Sequence, residues 1–166
     1  MNCVLEKFDG NLWSYHLVVL KEIAENFISA ENDRRVVCTI NKKTSFQCAL
    51  MHKGDGNYFI NINKKIRDAE KLKLGESVYI DLAKDTSKYG LPITDEMKEC
   101  LEQDEEGSAI FHALTSGKQR TLIYIASQVK DTQKRISRAL AILSHLKSTK
   151  GKINYKQLNE TIKAMN

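Results

Sequence analysis

The sequence predicts an α+β protein: a small β-barrel of two β-α-β repeats over residues 1–90, followed by a helical module over residues 91–166. Three observations predict it. A strand-to-helix segment recurs within the first half, each copy leads into a strand with period-two alternation, and the apolar spacing becomes helical after Pro92. Period-two alternation buries one face of a strand, whereas 3.6-residue spacing buries one stripe of a helix.

The repeat comes first, because self-similarity constrains topology more than any local signal. Leu17-Val18-Val19-Leu20-Lys21-Glu22-Ile23 reads like Ile60-Asn61-Ile62-Asn63-Lys64-Lys65-Ile66, at an offset of 43. The strand that follows is Val36, Cys38 and Ile40 in one copy and Val78, Ile80 and Leu82 in the other, at an offset of 42. Helices are expected near 21–29 and 64–71. Between the copies, Phe46, Cys48 and Leu50 alternate as a further strand, and Lys53-Gly54-Asp55-Gly56-Asn57 supplies glycines for a hairpin turn that needs positive φ. No Gly-x-x-x-x-Gly-Lys-Ser/Thr pattern follows, so this turn does not read as a phosphate loop. Two such units closing face to face hide their strand edges as a barrel does.

The second half reads as short helices with start signals. Thr94 or Asp95 caps a helix turning Met97, Cys100 and Leu101 inward, and acids at 104–106 open the next, which buries Ile110, Phe111, Ala113 and Leu114. Ser116 and Gln119 have capping-box spacing before Leu122, Ile125, Ala126 and Val129. Asp131 or Thr132 precedes a stripe of Ile136, Ala139, Leu140, Leu143 and Leu146, residues 148–152 read as a linker, and Asn154 precedes Leu158, Ile162 and Met165. Helices this short need packing to persist.

Composition bounds the function classes. The 166 residues are 42% hydrophobic and 28% charged, as in an ordinary globular protein. No apolar run is long enough to span a membrane. Glu6 and Asp9 stand where a signal peptide would need apolar residues, so a cytoplasmic chain with no membrane partner is expected. Cys3, Cys38, Cys48 and Cys100 form no Cys-x-x-Cys pair and read as free thiols, a Cys38–Cys48 bridge being the alternative. His16, His52, His112 and His145 are isolated, so neither a metal nor another cofactor is expected. No catalytic residue is nominated, since Gly-x-Ser-x-Gly and Ser-x-x-Lys are both absent. Asp81 and Asp85 read as solvated rather than as an acid–base pair.

The net charge of +5 is uneven: residues 117–166 carry eleven Lys/Arg against Asp131 and Glu160, and residues 92–107 carry seven acids against Lys98. Lys130, Lys134, Arg135 and Arg138 crowd one helical face. They are the candidate contacts for an anion or partner, with internal pairing to Asp95, Glu99, Glu102 or Asp104 as the favoured alternative. Trp13, Tyr58 and Tyr79 are the candidate aromatic surface.

The ordered set Trp13, the step at 17–23, Arg35 to Asn41, Gly54-Asp55-Gly56, Lys65-Ile66-Arg67 and Leu74-Gly75-Glu76-Ser77-Val78 resembles the N-terminal barrel, of unknown function, of the YdeI/OmpD-associated (bacteriocin-protection) family. The second unit also resembles an AbrB-type swapped-hairpin half. Phe111, Leu114, Ser116, Tyr124-Ile125, Lys130 and Thr132 to Ile136 resemble that family's C-terminal module, with Tyr124 where the family has Trp, Gln133 where it has Arg, and Leu20 where it often has Pro. The resemblance covers roughly residues 8–147 and implies a bacterial double-split barrel completed within one chain. It also implies a non-enzymatic binding or resistance factor acting on an unknown protein or small molecule through the barrel–helix junction. Nucleic-acid binding by the basic helical face is the alternative, and a monomer is the default state.

Overall fold

A computed structural model describes residues 1–9, 15–29 and 34–165, and Trp13 lies outside them. The chain divides into two compact units, Met1–Gly90 and Leu91–Asn166.

The first unit holds strands β1 (Asn2–Lys7), β2 (Tyr15–Val19), β3 (Arg35–Ile40), β4 (Thr44–Ala49), β5 (Met51–His52), β6 (Tyr58–Asn61) and β7 (Ser77–Lys84). Helix α1 (Lys21–Ala24) precedes β3, and α2 (Lys64–Glu70) precedes β7. The strands form one antiparallel sheet in the order β4-β3-β7-β1-β2-β6-β5. Its two end strands, β4 and β5, are separated in sequence by Leu50 alone, so a single bent strand joins both ends and the sheet nearly closes into a barrel. Inward alternation places Leu5, Leu17, Ile40, Leu50, Ile60 and Ile80 in one core with no solvent exposure. Each such side chain contributes about 1.5–3 kcal/mol on burial.

The registers make the two halves equivalent. Leu17 faces Ile60, its own repeat counterpart, while Cys38 faces Leu82 and Ile40 faces Ile80, a reciprocal pair under the offset of 42. A strand not visible in the sequence repeat extends each half. β1 pairs with β7 through Val4 and with β2 from Leu5, and the bent strand pairs with β3 through Ala49 and with β6 from Met51. Leu5 and Leu50 are therefore counterparts at the two bends, both fully buried. Leu5 N–H donates to the Glu76 carbonyl (3.0 Å), and Leu50 N–H donates to that of Arg34 (2.9 Å), again an equivalent pair. Each half is thus β-β-α-β, one strand longer than the repeat legible in the sequence.

The helices of the two halves differ. Asn63 caps α2 by accepting from Ile66 N–H at 2.9 Å, and Lys71 closes it in the left-handed conformation. At the equivalent start of α1 stands Leu20, which provides no side-chain cap. α1 spans only Lys21–Ala24 before turning, shorter than the expected 21–29. The Asn26 side chain donates back to the Glu22 carbonyl, a local bond that competes with helix continuation. The glycine hairpin forms as expected: Gly54 and Gly56 have φ of 99° and 90°, and Lys53 N–H donates to the Asn57 carbonyl.

The second unit contains α3 (Asp95–Gln103), α4 (Glu105–His112), α5 (Ser116–Ser127), α6 (Thr132–Thr149) and α7 (Tyr155–Ala164). Thr94, Asp104, Asp131 and Asn154 cap α3, α4, α6 and α7 through their side chains. The Ser116–Gln119 capping box does not form. Ser116 is already helical, and the Gln119 amide instead donates to the His112 and Leu114 carbonyls of the preceding turn. α6 packs against α3, α4, α5 and α7, so its buried face is wider than one stripe. Ala141 and Ile142 are buried there, whereas Leu140 is 45% exposed. Ile123 joins the core of α5, and Ala113 and Met165, expected inward, are exposed. α6 continues through Thr149, so the expected linker of residues 148–152 begins inside its last turn and only 150–152 lie beyond the helix. His145 is buried on α6 and its Nε2 accepts from Asn154 N–H at 3.1 Å; burial lowers its pKa, which preserves that neutral acceptor.

Candidate functional site

The barrel is split twice, once beside each bent strand, and the second split holds a cleft. Leu50 N–H points to β3, and in an antiparallel ladder alternate residues share that direction. Ser45, Gln47 and Ala49 therefore turn their backbone N–H and C=O groups away from β3, toward the split. α2 runs along this edge: the Glu70 carboxylate accepts from Asn41 and Thr44 at one end, and Asn63 lines the cleft at the other. A helix laid over an unpaired strand edge protects it from pairing with other chains.

Between that edge and α2 lies a cavity of about 240 Å³. Phe46, Met51 and Ile66 give it an apolar floor, Cys48 and Ala49 its back wall, and Arg35, Gln47, Asn61 and Asn63 its polar groups. The first split supplies an internal control. At the positions equivalent to Asn61, Asn63 and Arg35 it carries Val18, Leu20 and Ser77, while Asn2 matches Gln47 and Cys3 matches Cys48. The two linings thus differ most at Val18 and Leu20, which stand where the second split has Asn61 and Asn63, whereas Asn2 and Ser77 stay polar and Glu6 stands at the position of Met51.

The polar groups are held by the segment after β7. An Arg35 Nη donates to the Gly90 carbonyl. Gly90 has φ of 71°, and a Cβ there would meet Arg35 Nε at 3.0 Å, so a glycine is needed both for the turn and for the approach. The Gln47 amide donates to Asp85 (3.0 and 3.2 Å) and to Ser87 Oγ, and Ser87 N–H donates to Asp85 at 2.9 Å. Burial alone would raise the Asp85 pKa, but the bonds from Ser87 and Gln47 and the Arg35 charge outweigh it and hold the carboxyl below its ordinary value. Asp85 is thus a buried anchor, not the solvated residue expected. Cys48 is pushed up to about 12 by burial, against a smaller downward pull from Arg35, so its thiol stays protonated at neutral pH. A cleft built this way sets hydrogen-bonding groups beside apolar side chains.

The residues nominated from sequence lie elsewhere. Tyr58 is buried in the barrel with its ring 4.7 Å from that of His52, whereas Tyr79 is exposed and donates to Asp81 at 2.8 Å; they do not form one aromatic surface. Lys134, Arg135 and Arg138 do share the start of α6, with Lys130 just before its cap. Arg135 pairs with Glu96 at 3.3 Å and donates to the Lys130 carbonyl, and Arg138 donates to the Ile125 carbonyl at 2.9 Å. Lys147 pairs with Asp104 at 2.6 Å. The acidic segment thus neutralises part of α6, through Glu96 and Asp104. Beside it, between α3 and α6, a cleft of about 530 Å³ carries Asp95, Glu96 and Glu99 over Cys100, Ile136 and Leu140. All four cysteines are free, and no cluster of three or more metal-ligating side chains occurs among the described residues. No helix among them is long and apolar enough to cross a membrane.

Arg35, Gln47, Asn61 and Asn63 were not singled out by sequence reasoning. For Asn61 and Asn63 the signal was the repeat itself, where they stand opposite Val18 and Leu20 in a strand whose other positions are apolar in both copies. No curated protein and no solved structure matches the chain. Residues 2–82 match the family described as Domain of unknown function (DUF1905). That match spans nearly the whole of the antiparallel barrel and stops short of the helical unit that follows it.

Proposed function

We propose that the protein is a non-enzymatic binding protein whose ligand enters the second split of the barrel. The observation that supports this is the divergence of the two splits: equivalent positions are Val18 and Leu20 in one and Asn61 and Asn63 in the other, and the split that carries the asparagines holds a cavity. Polar side chains over an apolar floor are the composition of small-molecule sites. The volume suits a ligand of few atoms or a single partner side chain.

The wider kinship belongs to the same proposal. The helical unit is read as the module that accompanies such barrels in the YdeI/OmpD-associated family, and the barrel as AbrB-like. A cytoplasmic location accords with four free thiols. Protection against a toxic agent would then take the form of holding a small molecule in the split. A nucleic-acid reading has less support, because two of the four basic residues at α6 are engaged within the helical unit.

The test is mass spectrometry of small molecules released from the purified protein, followed by ¹⁵N NMR titration of each. The expected result is a compound that shifts the amides of Arg35, Gln47 and Asn61 and leaves those of Asn2 and Val18 in place. Shifts confined to the helical unit would overturn the assignment to the split.

A further inference from the structure

We infer that the helical unit carries a binding site of its own, the cleft between α3 and α6, and that its ligand is a small amine with a hydrocarbon body. This site is independent of the split in the barrel. Its apolar part comes from α6. That helix packs against α3, α4, α5 and α7, yet Leu140 stays exposed and Ile136 half-buried, one turn apart on the side that lines the cleft. Cys100 adjoins them from α3, and the cleft measures about 530 Å³, within the range of small-molecule sites. A hydrocarbon laid over Ile136 and Leu140 withdraws from water the apolar surface that helix packing leaves there.

Charge complementarity selects the amine. Asp95, Glu96 and Glu99 form the α3 wall, and among the described residues no lysine or arginine lines the cleft, Lys98 of the same helix included. Arg135 neutralises Glu96 at 3.3 Å, and Lys147 is held by Asp104 at 2.6 Å. Asp95 and Glu99 remain. Both are exposed, they stand one turn apart on α3, and among the described residues neither is in an ion pair. Glu99 accepts only a neutral bond from the Gln103 amide, at 2.6 Å. Burial and the charges of Glu99, Asp104 and Glu96 raise the pKa of the Cys100 thiol, which is therefore neutral and lies in a negative field. An ammonium set between Asp95 and Glu99 offsets that field, whereas a carboxylate is repelled. Exposed carboxylates contribute little each, so the apolar contact supplies much of the affinity, which is expected in the millimolar range.

Probes that separate charge from apolar body test this on the full chain, with ¹⁵N NMR as readout. 4-Phenylbutylamine carries both, 4-phenylbutanol the body alone, 4-phenylbutyrate the body with the opposite charge, and butylamine the charge on a short chain. 4-Phenylbutylamine is expected to shift the amides of Glu99, Gln103, Ile136 and Leu140. It should bind at least about fivefold more tightly than the alcohol or butylamine, and the acid should shift neither helix. Asp95→Asn combined with Glu99→Gln should bring amine binding to within about twofold of the alcohol's and leave the alcohol unchanged. Leu140→Ser should weaken amine and alcohol alike; the dispersion of each spectrum reports folding. Equal binding of amine and alcohol, or shifts from the acid at the same amides, would overturn the cation. Butylamine binding as tightly as 4-phenylbutylamine would overturn the hydrocarbon body. No shift on α3 and α6 with 4-phenylbutylamine would overturn the site.

Discussion

The two halves of the barrel repeat one β-β-α-β path, yet their splits differ where Val18 and Leu20 in one stand for Asn61 and Asn63 in the other. In the first half, Val18 and Leu20 stand at the end of the strand and just after it and α1 starts without a side-chain cap; in the second, Asn61 and Asn63 take those places and α2 is capped and longer. Shared core positions such as Leu5 and Leu50 hold the topology in common. The divergent positions all lie at the rim, where a polar group costs little because water or a ligand can satisfy it. The comparison teaches that this fold needs two equivalent bends but not two equivalent splits, which frees one split for binding.

The largest expected effect tests the shared part. Leu5→Ala and Leu50→Ala should each destabilise the barrel by about 2–5 kcal/mol, because both remove a fully buried side chain at a bend. Urea titration measures this; a large loss at one and none at the other would break the equivalence. The next effect sharpens the difference between the helices. Asn63→Ala should cost about 1 kcal/mol through the lost bond to Ile66 N–H, while Leu20→Asn should stabilise by a smaller amount by giving α1 the cap it lacks. The smallest is a pH effect peculiar to the second half. Asp85 has a lowered pKa in the folded state, so its contribution is complete above its ordinary value of 3.8 and is lost as pH falls through its lower folded value. Urea midpoints measured from pH 6 to pH 2.5 should therefore decline less steeply in Asp85→Asn than in the parent.

Much of the barrel was legible because its repeat is written in alternating apolar residues: positions 17–23 against 60–66 and 36–40 against 78–82 align without the structure. The match of β1 to the bent strand was not legible. Its counterparts include Glu6 with Met51 and Lys7 with His52, which share no chemistry, and a single residue at Leu50 carries the strand from one sheet neighbour to the other. On α6, Leu140 misled because a helix packed on several sides has no single buried stripe. The site was half legible: Asn61 and Asn63 stood out of the alignment, but Arg35, Gln47 and Gly90 come together only through pairing of β3 with β4 and the return of the chain after β7.

A reciprocal exchange between the splits tests the central claim most directly. Asn61→Val gives the second split the residue of the first, and Val18→Asn does the reverse. With the shifts that the co-purified compound produces at Arg35 and Gln47 as readout, Asn61→Val should weaken binding at least about tenfold and Val18→Asn should leave it within about twofold. Unchanged binding in Asn61→Val, or an equal loss in both folded variants, would contradict the assignment of the ligand to the second split.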